Sequence, residues 1–327
     1  MTSLNYPWHE SYWQHLVAYV EQQRIPQALL LKGVPGLGKH QLALRFAQYL
    51  MCLAPEQQSS CHSCASCKLF VAETHPDFML LQPEEAGKLI GIDAIRQLIS
   101  KLALKPQYSA YRVVIINLAE HMNRNSANAF LKCLEEPPER TMFILLTEQV
   151  QRLPATIMSR CQKLVLATPD NAVAQQWLTT QGINEQQQQL LSLAQGAPLL
   201  ALDYAQQNSL QLRSECFTSW QNIIVRNACP VVLAEQWHKL AGQQLLHWLI
   251  SWTEDIIKCH FQVQAQYLHN TDLARPLQEI ARRVQLTSLF DFYGLLMKDT
   301  HRIQTQLNKQ LLFEEILITW SQAIVNR

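Results

Sequence analysis

Between residues 28 and 166 short apolar runs alternate with stretches of helical periodicity, and this alternation most narrows the folds open to the chain. Ala28-Leu29-Leu30-Leu31, Val113-Val114-Ile115-Ile116, Met142 to Leu146 and Lys163 to Leu166 read as strands, the first three apolar throughout. Between them lie Leu42, Phe46 and Leu50 on one helical face, and Ile95, Leu98, Ile99 and Leu102 on another, for which Asp93 is a suitable N-cap. Ala127, Phe130, Leu131 and Leu134 mark a third helix, stopped by Pro137 and Pro138. A strand that is apolar on both faces must be covered on both. The pattern therefore predicts a parallel sheet clothed in helices, preceded by a helical segment over residues 4 to 24 that carries Tyr12, Trp13, Leu16, Tyr19 and Val20.

The pattern changes near Thr168-Pro169. Residues 170 to 181 read as a helix stopped by Gly182, the Gln186 to Gln189 run as the solvated face of a second, and Pro198 as the first turn of a third. Strand signals nearly vanish beyond residue 208, and Trp220, Trp237, Trp248, Trp252 and Trp320 are expected to fill a helical bundle rather than to form a nucleic-acid platform. The last segment, Asn308 to Trp320, has the pattern of an amphipathic helix. At 327 residues the chain exceeds one compact core, so two or three domains are expected.

With 48% hydrophobic and 16% charged residues the chain is not of a disordered class, and a net charge of +1 supplies no global attraction for nucleic acid. No apolar run approaches the roughly 18 to 20 residues of a membrane span, and the N-terminus lacks the basic and apolar regions of a signal peptide. A cytoplasmic protein is expected. Nine cysteines in a reducing compartment point to thiols and metal ligands rather than disulfides.

Two constellations carry chemistry. Gly33-Val-Pro-Gly36-Leu-Gly38-Lys39-His40 follows a strand and opens a helix, a setting in which loop amides and the lysine can cradle phosphates. The hydroxyl that should follow the lysine to hold magnesium is replaced by His40, so a tight turn with no ligand is the alternative. The strand end where a phosphate-loop ATPase keeps its magnesium-binding Asp and water-activating Glu holds Asn117 and Leu118, with Glu120 the nearest carboxylate. Cys52, Cys61, Cys64 and Cys67 have the spacing of a closed four-thiolate site, and structural zinc is expected there. Buried free thiols are the alternative, and His62 competes as a ligand. For Cys133, Cys161, Cys216, Cys229 and Cys259 core packing suffices.

Leu134-Glu-Glu-Pro-Pro138 followed by a strand, Leu153-Pro154 and Ser159-Arg160-Cys161 resembles the clamp-loader branch of the AAA+ ATPases, and the resemblance extends over nearly the whole chain. It implies an AAA+ α/β domain over 1–167 with a zinc module at 52–67, a helical lid over 168–207 and an all-α collar domain for oligomerisation over 208–327. Within that family the chain is similar to the non-hydrolysing stator of the bacterial DNA polymerase III holoenzyme, a DNA-directed DNA polymerase. The implied partners are the gamma/tau ATPase subunits and the delta subunit, with the sliding clamp and primer-template DNA met through the complex. Arg160 is then expected to act in trans on a neighbour's ATP. ATP binding by the chain's own degenerate loop, Gly33, Gly36, Gly38 and Lys39, is doubtful, and the family's second-domain arginine, missing from Gln195-Gly196-Ala197-Pro198, joins the other departures in arguing against hydrolysis. Two other readings stay open: an ATP-hydrolysing motor of the same complex, which needs the carboxylates absent at 117 and 118, and a zinc-containing DNA-binding module, which needs a basic surface.

Overall fold

In the computed structural model of the protein, residues 5–85, 87–108, 111–225, 227–303 and 308–323 are described. Residue 4 and residues 324–327, the outer ends of the terminal helical readings, lie outside them. Five parallel strands, β1 (Ala28–Lys32), β2 (Phe78–Leu81), β3 (Arg112–Ile116), β4 (Thr141–Thr147) and β5 (Gln162–Val165), form one sheet in the order β2-β3-β4-β1-β5. Successive strand residues face opposite sides, and the two sides have separate cores. Leu29, Leu31, Val113, Ile115, Ile144 and Leu146 pack with α1 (Glu10–Glu21) and α2 (Lys39–Met51) through Trp13, Leu16, Leu42 and Phe46. Leu30, Val114, Ile116, Phe143 and Leu145 pack on the other side with Ile95 and Leu98 of α4 (Ile92–Leu102) and Phe130 and Leu134 of α5 (Arg124–Glu135). This two-sided burial explains why β1, β3 and β4 are continuous apolar runs. The short α3 (Ala65–Val71) follows α2.

Polar side chains fix the helix ends that the apolar pattern leaves open. Asn123 caps α5 by accepting from the Ser126 N–H at 2.9 Å. Arg112, buried at the start of β3, donates to the carbonyls of Leu102 and Leu104 at 2.9 and 2.7 Å, groups at the end of α4 that have no helical partner. At the other end of α4 the expected cap is corrected. Gly91 occupies the N-cap position, and Asp93 lies inside the first turn, 3.2 Å from Arg96. The helix starts one turn position earlier than the acid, where a carboxylate still complements the positive helix end.

The chain separates into two compact units, 1–205 and 206–327. In the first, α6 (Ala155–Met158) leads into β5, and α7 (Asn171–Thr180), α8 (Gln187–Leu193) and α9 (Pro198–Gln206) follow the sheet. Trp177 of α7 meets Trp8 edge to face at 5.2 Å, and Gly182 ends that helix with φ of +84°. The second unit comprises α10 (Ser209–Ile224), α11 (Pro230–Trp237), α12 (Gly242–His260), α13 (Ala274–Ala281), α14 (Leu286–Arg302) and α15 (Lys309–Gln322). Its centre is aromatic. Trp220 and Trp320 stack at 4.1 Å, Trp252 lies 5.4 Å from Trp220, and Trp237 meets Phe313 at 6.2 Å.

Two details of this unit differ from the sequence reading. Cys229 is exposed just before Pro230 and is not a core thiol. Helix α15 buries Leu312, Phe313, Ile316, Leu317 and Trp320 as a stripe, yet Leu311 and Ile318 on its opposite side are 61% and 39% exposed, so it is less sharply two-faced than its pattern implies. Among the described residues no helix is long and apolar enough to cross a membrane.

Trp320 is fully buried, and its Nε1 donates to the Trp220 carbonyl at 3.3 Å. Trp320→Ala removes the ring and leaves a cavity, which should lower stability by about 3–5 kcal/mol. Urea unfolding followed by far-UV circular dichroism measures it, and a loss below about 1 kcal/mol would contradict a core centred on this stack.

Candidate functional site

The loop after β1 is fixed before its own residues are considered, because β1 pairs with β4 on one side and β5 on the other. Gly36 and Gly38 take φ of +77° and +79°, a region that side chains disfavour. Space demands the same choice. A Cβ at Gly36 would lie 2.5 Å from Leu200 Cβ and 2.6 Å from Leu200 N, and one at Gly33 would lie 2.6 Å from the Leu166 carbonyl oxygen. The Leu199 N–H donates to Gly36 O at 3.1 Å, so the first turn of α9 rests directly on the loop. From the N-terminal side, Trp8 Nε1 and His9 Nε2 both meet Leu37 O, at 3.0 and 2.8 Å.

Lys39 closes the loop on itself. Its ammonium donates to Gly33 O at 2.9 Å and Val34 O at 2.8 Å and lies 3.5 Å from Glu148 Oε1, with 6% of the side chain exposed. An ammonium has three donors, and these contacts account for all of them. Burial lowers the Lys39 pKa and the Glu148 charge opposes that shift, while burial raises the Glu148 pKa and Lys39 opposes it in turn. His40, where a magnesium-binding hydroxyl would stand, has a buried Nε2 without a hydrogen-bond partner, and burial lowers its pKa.

At the end of β3, Leu118 is in the left-handed region with φ of +53°, opening the single turn Ala119–His121. Glu120 on that turn is buried, and its Oε1 accepts from the Glu148 and Gln149 N–H groups at 2.9 and 3.2 Å. This carboxylate ties β3 to the loop after β4. The contact partners Glu148 and Leu200 were missed by sequence reasoning. The immediate succession of Thr147 at a strand end and an acid was the only available signal for Glu148, and nothing in the pattern of α9 singles out Leu200.

Arg160 lies in the turn between α6 and β5, 37% exposed. Its Nη1 donates to Thr156 O at 3.0 Å and its Nη2 to Glu135 Oε1 at 2.7 Å. The side chain is therefore held over the end of α5 rather than projecting freely.

The four cysteines expected to act together are brought together. Cys52 caps the end of α2, Cys64 caps the start of α3, Cys67 lies in its first turn, and all four Sγ atoms are within 4.8 Å of one another. Cys52 and Cys61 Sγ are 3.5 Å apart. Tetrahedral metal–sulfur bonds of about 2.3 Å place sulfurs about 3.8 Å apart, so the donor set fits a metal ion. The N–H groups of Cys61, Cys64 and Cys67 point to the Sγ of Cys52, Cys61 and Cys64 at 3.3, 3.4 and 3.4 Å. Backbone N–H groups of Ser63 and Cys64 pull the Cys61 thiol down to about 6, whereas burial pushes Cys52 and Cys67 up. His62 is exposed and outside the cluster.

His9 gives the loop a pH signature. Burial lowers its pKa from 6.5 to about 4, against the opposing effect of the Leu37 carbonyl. The unfolded chain binds this proton more readily than the native one, so the stability contribution is complete above pH 6.5 and is lost as pH falls through about 4. The shift corresponds to about 3 kcal/mol. Urea unfolding of wild type and His9→Asn between pH 7 and 4 should show the wild type losing about that much relative to the variant, and parallel profiles would refute a buried neutral His9.

A family model described as DNA polymerase III, delta subunit, matches residues 8–170, and one described as DNA polymerase III, delta subunit, C terminal, matches residues 207–322. The DNA polymerase III subunit delta' of Yersinia pestis is 33% identical over 328 residues, 98% of this chain and 96% of that protein. That of Pseudomonas aeruginosa is 30% identical over 321 residues, 97% of each. The DNA polymerase III subunit tau/gamma of Haemophilus influenzae is 32% identical over 182 residues, 54% of this chain and 26% of that protein. With relatives that match end to end, a five-stranded parallel sheet and a helical C-terminal unit, this chain belongs to the DNA polymerase III subunit delta' family of clamp-loader proteins.

Proposed function

We propose that this chain is the non-hydrolysing stator of a bacterial clamp loader, and that Arg160 completes the ATP site of an adjacent gamma/tau subunit. The observation that carries the first half is the self-closed phosphate loop. Lys39 spends its donors on Gly33 O, Val34 O and Glu148, and Leu200 occupies the space in front of Gly36. Asn117 and Leu118 leave no pair of groups to hold magnesium and orient water, and Glu120 is committed to two backbone N–H groups. In the ring this subunit would meet gamma/tau and delta, and through the complex the sliding clamp and primer-template DNA. Residues 1–167, 168–207 and 208–327 would serve as AAA+ domain, lid and collar.

The second half draws support from the placement of Arg160 on an exposed turn at the end of the sheet. A guanidinium there can approach a neighbour's terminal phosphate and stabilise charge as the phosphorus–oxygen bond breaks. Such arginines are worth roughly a thousandfold or more in well-measured GTPases, diluted here by the other sites of a ring. The isolated chain should not turn over ATP. In the ring assembled with clamp and primed DNA, Arg160→Ala should slow ATP hydrolysis and clamp loading several-fold, and Arg160→Lys should do nearly as badly because an ammonium lacks the planar fork. Unchanged rates in an intact mutant assembly would leave Arg160 an ordinary surface arginine.

For the cysteine cluster we propose zinc as the ion. Four sulfur donors with no open position suit a structural rather than a catalytic site, so the ion would knit the end of α2 to α3. Protein purified without chelator should contain about one zinc per chain by elemental analysis, and Cys64→Ser with Cys67→Ser should lose it. A metal-free native protein would return these residues to free thiols.

A further inference from the structure

The acid that holds Arg160 has a position of its own to explain. Glu135 is the last residue of α5, whose backbone is anchored by the buried Phe130 and Leu134 and whose continuation is blocked by Pro137 and Pro138. Its carboxylate therefore stands on a rigid element, while Arg160 stands on a turn. The two side chains meet at 2.7 Å, and Thr156 O takes a second guanidinium N–H at 3.0 Å.

Resting on the reading of Arg160 as an arginine acting in trans, we infer that Glu135 is a positioning residue for it: with Thr156 O, it fixes the plane of the guanidinium and leaves the remaining edge to a neighbour's phosphate. A guanidinium carries five N–H donors in a rigid fork, and the two internal bonds use one from each terminal nitrogen. Three remain, including the Nε–H. A long arginine chain loses considerable rotamer freedom when it is first ordered at a phosphate, and an arginine already held in place has met much of that cost beforehand. Glu135 and Arg160 are 50% and 37% exposed, so the pair contributes little to the stability of the fold. Its consequence is orientation.

The test uses the complete ring with clamp and primed DNA, its composition checked by mass measurement, and four forms of this chain: wild type, Glu135→Ala, Arg160→Ala and the double variant. Glu135→Ala should lower kcat for ATP hydrolysis about two- to fivefold, a part of the loss caused by Arg160→Ala, with KM for ATP little changed. Glu135→Gln keeps an acceptor oxygen and should recover part of the rate. In the Arg160→Ala background, Glu135→Ala should have no further effect, which a general structural role would not produce. If Arg160→Ala slows the ring and Glu135→Ala leaves it unchanged, speeds it, or slows it equally without Arg160, positioning by Glu135 is overturned while the trans arginine stands. If Arg160→Ala itself is silent, both readings fall.

Discussion

Much of the first unit depends on how closely backbone and side chains can approach the loop between Gly33 and Gly38. Leu200 reaches it from α9, Trp8 and His9 reach it from the N-terminal segment, and Leu166 lies against it beyond β5. Three separate stretches of chain converge on one turn, which is possible because the glycines leave room and Leu37 O is available as an acceptor. The lysine then donates to two further carbonyls of the same loop. A feature that sequence pattern associates with an external phosphate is here the joint by which the unit is assembled.

Four of the five strands were legible, and most clearly β1, β3 and β4, because burial on both faces leaves uninterrupted apolar runs bounded by polar or turn residues, whereas β2, only partly buried at the sheet edge, was not read. The cysteine cluster was legible for a related reason, since three of its members are within seven residues and helix α3 fixes their spacing. The helices of the second unit were expected in bulk, and the tryptophans proved to be its centre. Helix limits were less readable, as Gly91 and Asp93 illustrate, because two turn-compatible residues, one on each side of Ile92, can each begin a helix that buries Ile95 and Leu98.

What periodicity does not encode is which polar groups meet across the fold. Arg160 and Glu135 are 25 positions apart, and Lys39 and Glu148 are separated by more than a hundred. The strand order sets the second encounter, because β1, which leads to Lys39, and β4, which leads to Glu148, are neighbours only in space. Residue types at the phosphate loop pointed to a ligand, and only the geometry shows how the same residues are engaged within the chain. Exposed Cys229 is a smaller instance, in which a thiol's surroundings could not be read from its spacing.

Glu120 has a consequence for any attempt to place a magnesium site at the end of β3. Asn117→Asp with Leu118→Glu would return two acids to the end of β3, but the Lys39 ammonium would still be engaged by Gly33 O and Val34 O, and Leu200 would still press on Gly36. Glu120 would go on clasping the Glu148 and Gln149 amides, holding next to Lys39 the very acid that competes with a phosphate for its charge. Building a magnesium and phosphate site at this loop is therefore a problem of vacating space as well as one of supplying reactive groups.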